Sequence, residues 1–143
     1  MGVIIKQKDF TTVIEQVRQG IFVLAPKVSV PVTSPVLNIG LLLGAKMYNA
    51  ESDGSCVNIA KELDAILGEE HHDITLANTD ILFTYEYDLD VLKLLLQIGR
   101  NQRLYVQWPG EITEEKLTYS EPNRFDFKEY NIKDYVDTYV VLR

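Results

Sequence analysis

Residues 21–25, Ile-Phe-Val-Leu-Ala, are apolar at every position. A strand with one wet face alternates apolar and polar residues. A run with no polar position needs cover on both faces, as in the middle of a parallel sheet. The rest of the chain fits that frame. "VLNI" (36–39), "ITLANTDILF" (74–83), "RLYVQW" (103–108) and "TYVVL" (138–142) are further short strand-like runs.

Helical spacing fills the gaps between them. Phe10, Val13, Ile14 and Val17 form one stripe, with Gly20 placed to stop the helix. Leu41, Leu42, Ala45 and Met47 form a second, and "AESDGS" (50–55) reads as the loop after it. Ser55 is placed to cap a third helix carrying Ile59, Ala60, Leu63, Ile66 and Leu67 and ended by Gly68. Residues 88–100 give a fourth, with Leu92, Leu95 and Leu96 inward and Gly99 near its end. "KLTYSEP" is a short strand and "NIKDYV" a helical turn. Strands separated by helices, without Asn-Gly hairpin signals, predict a three-layer α/β fold. Its sheet is mostly parallel, with helices on both faces, in a single domain over 1–143.

The 143 residues suffice for one core and not for two. The balance of 14 Lys+Arg against 21 Asp+Glu gives a formal charge of -7. A field of that sign repels phosphate backbones, so nucleic acid is not expected as a partner of the isolated chain. With Cys56 alone, an internal disulfide is impossible, which fits a reducing cytoplasm. The amino-terminal stretch reads as neither signal peptide nor membrane span, and Lys6 stands where a myristoylation signal needs Ser or Thr. A cytoplasmic protein without membrane contact is the expectation.

Ligands of open parallel sheets gather beyond the carboxyl ends of the strands. Three loops are thereby nominated: Pro26-Lys27, Thr79-Asp80, and Trp108-Pro109-Gly110-Glu111. A triphosphate cradle needs successive inward N–H groups followed by a helix start. The loop "APKVSVPVTSP" (25–35) has no glycine and carries Pro26, Pro31 and Pro35, each without an N–H. Lys27 lies too close to the strand for a helix start, and too few residues follow for both loop and helix. Magnesium would want an acid at the end of a neighbouring strand, where Ala77 stands. Asp80, three residues on, suits either a metal-side role or a turn.

Downstream, the chain resembles a known family. "ANTDILF" (77–83), "DLDVLKLLLQIGRN" (88–101), "YVQWPGE" (105–111), "LTYSEP" (117–122) and "FKEYNI" (127–132) are similar in order and character to segments of the BrxF family. These are small P-loop proteins of bacteriophage-exclusion (BREX) defence systems. "LNIGLLLGAKM" (37–47) resembles that family's second strand and following helix, so the likeness spans about residues 36 to 142. The pairing of Trp-Pro-Gly with Leu-Thr-Tyr-Ser-Glu-Pro is its most specific part. The resemblance implies a P-loop NTPase-like fold and a role in phage defence among other proteins of such a complex. The departures are a missing Walker A loop, with the helix after it reduced or lost, and a Walker B Asp replaced by Ala77. The following Glu falls on Asp80. Together they imply a member without the usual ATPase chemistry and without a cofactor.

Other residues carry two readings each. Arg100, Asn101 and Arg103 make a local positive spot for phosphate or a partner, or simply cations at a helix end. Trp108 fits a stacking surface or a packing anchor. Glu111 closes the same loop. His71-His72 reads as a hydrated link, because adjacent histidines do not complete a tetrahedral site alone. Cys56 reads as a structural thiol, and the Tyr- and Phe-rich tail suits a protein interface.

Three functions follow. The first is a non-catalytic assembly subunit that docks other proteins through a sheet edge presenting Trp108, Arg100, Arg103 and the aromatic tail, with homo-oligomers possible. The second is a divergent NTPase holding ATP and magnesium through Lys27 and Asp80, completed by a partner. The third is a DNA-contacting module using Arg100, Arg103 and Trp108.

Overall fold

The computed structural model describes residues 2–53, 59–67, 73–83, 90–98, 102–113 and 115–143. In chain order these form β1 (Val3–Lys6), α1 (Gln7–Gln16), β2 (Gly20–Leu24), β3 (Val36–Asn38), α2 (Ile39–Asp53), α3 (Ile59–Leu67), β4 (Asp73–Ala77), α4 (Val91–Ile98), β5 (Arg103–Gln107), β6 (Glu111–Ile112), β7 (Lys116–Tyr119), β8 (Lys128–Asn131) and β9 (Thr138–Leu142). Short 3-10 turns cover Thr79–Phe83 and Ile132–Asp134.

Six strands make one sheet in the order β1-β9-β2-β5-β4-β3. Every neighbouring pair in it is parallel. β2 is buried at all five positions, as its unbroken apolar sequence requires. Alternation sorts its side chains between two layers. Ile21 and Val23 join Leu76, Leu104, Val106 and Val140 under Leu43 of α2, Leu63 and Leu67 of α3, and Leu92 and Leu95 of α4. Phe22 and Leu24 join Tyr105 and Val141 on the other face, against Phe10 and Ile14 of α1. Phe22 is the hub there, with Tyr139, Tyr105 and Phe10 ring centroids at 5.0, 5.3 and 5.4 Å. Helices flank the sheet on both sides, giving the expected three layers.

Capping fixes the helix starts. Asn38 Oδ1 accepts from the Leu41 N–H at 2.9 Å, and Asp90 Oδ1 from the Lys93 N–H at 3.1 Å.

Four features differ from the sequence expectation. β1 was hidden because Val3–Lys6 runs into α1 without a break. α2 continues to Asp53, through residues 50–53 that read as loop. Gly20 opens β2 instead of stopping α1, which ends at Gln16. Its φ of 143° and the approach of the Asp137 carbonyl, 2.9 Å from where a Cβ would sit, explain the glycine. Finally, β6-β7-β8 form a separate antiparallel sheet, made without an Asn-Gly turn. Gly110 lets the chain turn into it, since a Cβ there would collide with the Thr118 carbonyl. The proposed caps and stops at Ser55, Gly68 and Gly99 lie outside the described residues.

Candidate functional site

Parallel pairing places the ends of β2, β3, β4 and β5 on one edge of the sheet. That edge holds the three nominated loops. After β2 the chain makes a tight turn, closed by the Val28 N–H donating to the Ala25 carbonyl at 3.2 Å. Pro26 occupies its second position and Lys27 its third, with Lys27 at φ 69°. This is the dihedral a type II turn demands, normally met by glycine. Lys27 is exposed.

No helix follows. Residues 28–34 form no regular element and bend at Pro31-Val32; they are alternately half-buried and exposed, and Val28, Val30 and Val32 pack on the Phe22–Tyr105 layer. Ser34 and Thr75 hydroxyls meet at 2.6 Å, and the Thr75 N–H donates to the Pro35 carbonyl at 2.8 Å. The segment is thus a strap laid across the sheet face, held by valines and by β4.

After β4, Asn78 takes a left-handed φ of 53° and the chain enters the Thr79–Phe83 turn. Thr79 Oγ1 donates to the Gln107 carbonyl at 3.3 Å, tying that turn to β5. Asp80 is exposed. Burial, then the charges of Asp80 and Asp126, raise the Tyr119 phenol above its ordinary pKa.

Trp108 is buried. Its indole N–H donates to the Thr118 carbonyl at 3.0 Å, and its ring meets Phe83 and Tyr130 edge-on at 5.1 and 5.9 Å. Phe83 also stacks on Tyr119 at 4.5 Å. Of the two roles open to Trp108, packing anchor is the one its surroundings fill. Glu111 is exposed on β6, opposite Thr118.

Arg103 stands apart from this group. It opens β5, so it lies at the amino edge, opposite Trp108. Its guanidinium forks onto Asp73, with Nε to Oδ1 at 2.8 Å and an Nη to Oδ2 at 3.0 Å. The other Nη donates to the Ile14 and Val17 carbonyls at 2.7 and 3.3 Å, closing the end of α1. Tyr105 adds a hydroxyl to Asp73 Oδ1 at 2.5 Å. The hydrogen bond to Asp73 leads the causes that raise the Arg103 pKa. A docking surface joining Arg103 to Trp108 on one edge is therefore not what the fold builds. The cationic role at a helix end is present, on α1 instead of α4. Arg100, Asn101, Cys56, His71 and His72 lie outside the described residues.

The Asp73–Arg103–Tyr105 cluster escaped the sequence reading, since 30 residues separate acid from base. A signal existed: "DITLA" and "RLYVQ" each open with an opposite charge, and parallel register pairs those two positions. A cavity of about 260 Å³ was also missed. It lies at the amino edge among Gly20, Ile21, Lys93, Leu96, Val136 and Asp137. Among the described residues, no cluster of His, Cys, Asp or Glu could hold a metal ion, and no helix is long and apolar enough to cross a membrane.

No protein-family model, curated protein or solved structure matches the chain.

Proposed function

We propose that the chain is a P-loop-derived domain that has given up nucleotide chemistry and serves as an assembly subunit, docking other proteins of a BREX-type phage-defence complex in the cytoplasm. The observation that carries the first half is the strap. Where a phosphate loop and its helix would follow β2, the chain makes a Pro26-Lys27 turn and lays three valines on the sheet. Neither the turn nor the strap supplies a row of inward N–H groups at a helix start. The Ala77 side chain at the end of β4 brings no ligand atom, and Asp80 beyond it is exposed.

The derivation from a P-loop ancestor is supported by strand order. One strand, β5, separates β2 from β4, and β3 lies beyond β4. A strand interposed between the phosphate-loop strand and the acidic strand is the arrangement of a large branch of P-loop proteins. The defence role rests on the BrxF-like segments, above all "YVQWPGE" and "LTYSEP".

Isothermal titration calorimetry with ATP or GTP and magnesium tests the loss of nucleotide chemistry. No heat of binding is expected. Micromolar binding that Asp80→Ala abolishes would replace this reading with the partner-completed NTPase, with Lys27 on phosphate. For the docking role, a pull-down from a host carrying a complete BREX system is expected to recover other subunits of that system.

A further inference from the structure

The hairpin between β7 and β8 displays an aromatic side chain on a rigid support. Ser120, at φ 67°, has its hydroxyl 2.6 Å from Asp126 Oδ1. The Arg124 N–H donates to the Glu121 carbonyl at 2.9 Å, and the Phe127 N–H to the Arg124 carbonyl at 3.2 Å. Two consecutive turns and a side-chain clasp thus fix the tip. At its apex Phe125 is 83% exposed, the highest value among the large exposed hydrophobic residues described. A preorganised tip loses little further freedom on binding.

The cavity at the amino edge is its counterpart. At about 260 Å³ it falls below the range of roughly 300–1,000 Å³ typical of small-molecule sites, and suits one large side chain. Ile21 and Leu96 give it apolar lining, and Val136 adds an apolar side chain that is 61% exposed. Gln19 and Gln97 add polar groups, and Lys93 and Asp137 bring one charge of each sign. The tip repeats that pattern, with Arg124 before Phe125 and Asp126 after it.

We propose that Phe125 of one copy seats in the Ile21–Leu96–Val136 cavity of another copy, with Arg124 facing Asp137 and Asp126 facing Lys93. Thr118 and Tyr119 lie against Gly110, which follows the carboxyl end of β5, so the tip beyond them is on the carboxyl side. The cavity lies at the starts of β2 and β9, on the amino edge. Knob and socket therefore point away from each other, and the contact is head-to-tail. Such an interface extends into rings or open chains instead of closing as a symmetric pair. It deepens the assembly reading, but depends on neither the defence role nor the nucleotide result.

Sedimentation velocity over roughly 10–500 µM, the span that covers weak contacts of this kind, tests it. The wild-type mass is expected to rise with concentration, and less so in high salt. Phe125→Ser removes the knob and Val136→Arg blocks the socket. Both positions are exposed, and unchanged Trp108 fluorescence checks the fold. Each variant alone is expected to stay monomeric, while their equimolar mixture forms a dimer and nothing larger. A wild-type chain that remains monomeric, variants that associate like wild type, or a mixture that forms no dimer would each overturn the proposal.

Discussion

Arg103 holds Asp73 in a two-pronged grip at 2.8 and 3.0 Å while its remaining Nη closes the end of α1. The side chains are only 20% and 15% exposed. One residue therefore links β5, β4 and α1. Arg103→Ala leaves Asp73 with the Tyr105 hydroxyl but no cation, and strips the Ile14 and Val17 carbonyls of this donor, and is expected to cost about 2–4 kcal/mol. Arg103→Lys should recover less than half, because an ammonium cannot serve a forked acid and two carbonyls together. Urea midpoints for the two variants check both values.

Tyrosine ionisation should limit stability in alkali. Burial first, then the Asp73 hydrogen bond, raises the Tyr105 phenol; burial and Asp90 do the same for Tyr135. Burial pushes Tyr130 up to about 12. In the unfolded chain these phenols ionise near pH 10. Above that, the unfolded state releases protons that the folded state keeps. Stability is therefore full below about pH 10 and falls from there toward pH 12, by up to about 1.4 kcal/mol per pH unit for each of the buried Tyr105 and Tyr130, and by less for the more open Tyr135. Thermal melts from pH 8 to 12 should show this, with a shallower decline for Tyr130→Phe. A flat profile across that range contradicts it.

Trp108 anchors the small sheet. Trp108→Ala is expected to cost about 3–5 kcal/mol, and Trp108→Phe about 1–2 kcal/mol, through loss of the bond to the Thr118 carbonyl. As the sole tryptophan, it should emit at short wavelength and resist acrylamide quenching in the native protein. Strong quenching would show that the ring is open to solvent.

Lys27 sits in a backbone conformation made for glycine. Lys27→Gly should leave stability unchanged or raise it, by up to about 1 kcal/mol. Because it also removes the cation nearest the end of β2, it separates the two readings of this edge. An assembly role survives the change, whereas a nucleotide site built on Lys27 does not. Melting temperature and partner pull-down read the two effects.

Much of the fold was legible because local pattern and burial agree. β2 announces itself by having no polar position, and α4 by Leu92 and Leu95 on one face. The missed parts need knowledge of what lies beside them. β1 has three exposed positions and a sequence that looks like the run-up to a helix; only β9 makes it a strand. The strap reads as broken loop because its prolines hide the alternation of Val28, Val30 and Val32. For the candidate site, position was legible and role was not. Lys27, Asp80 and Trp108 do share the carboxyl edge, yet burial of Trp108 and the paired state of Arg103 appear only once the strands are in register.

β9 has a further consequence for how the protein is made. It lies between β1 and β2, with Tyr139 in register with both Val3 and Phe22. Everything up to residue 137 can leave the ribosome while the sheet still has a slot one strand wide. Collapse before that slot is filled leaves β2 with an open flank, so completing the sheet waits on residues 138–142.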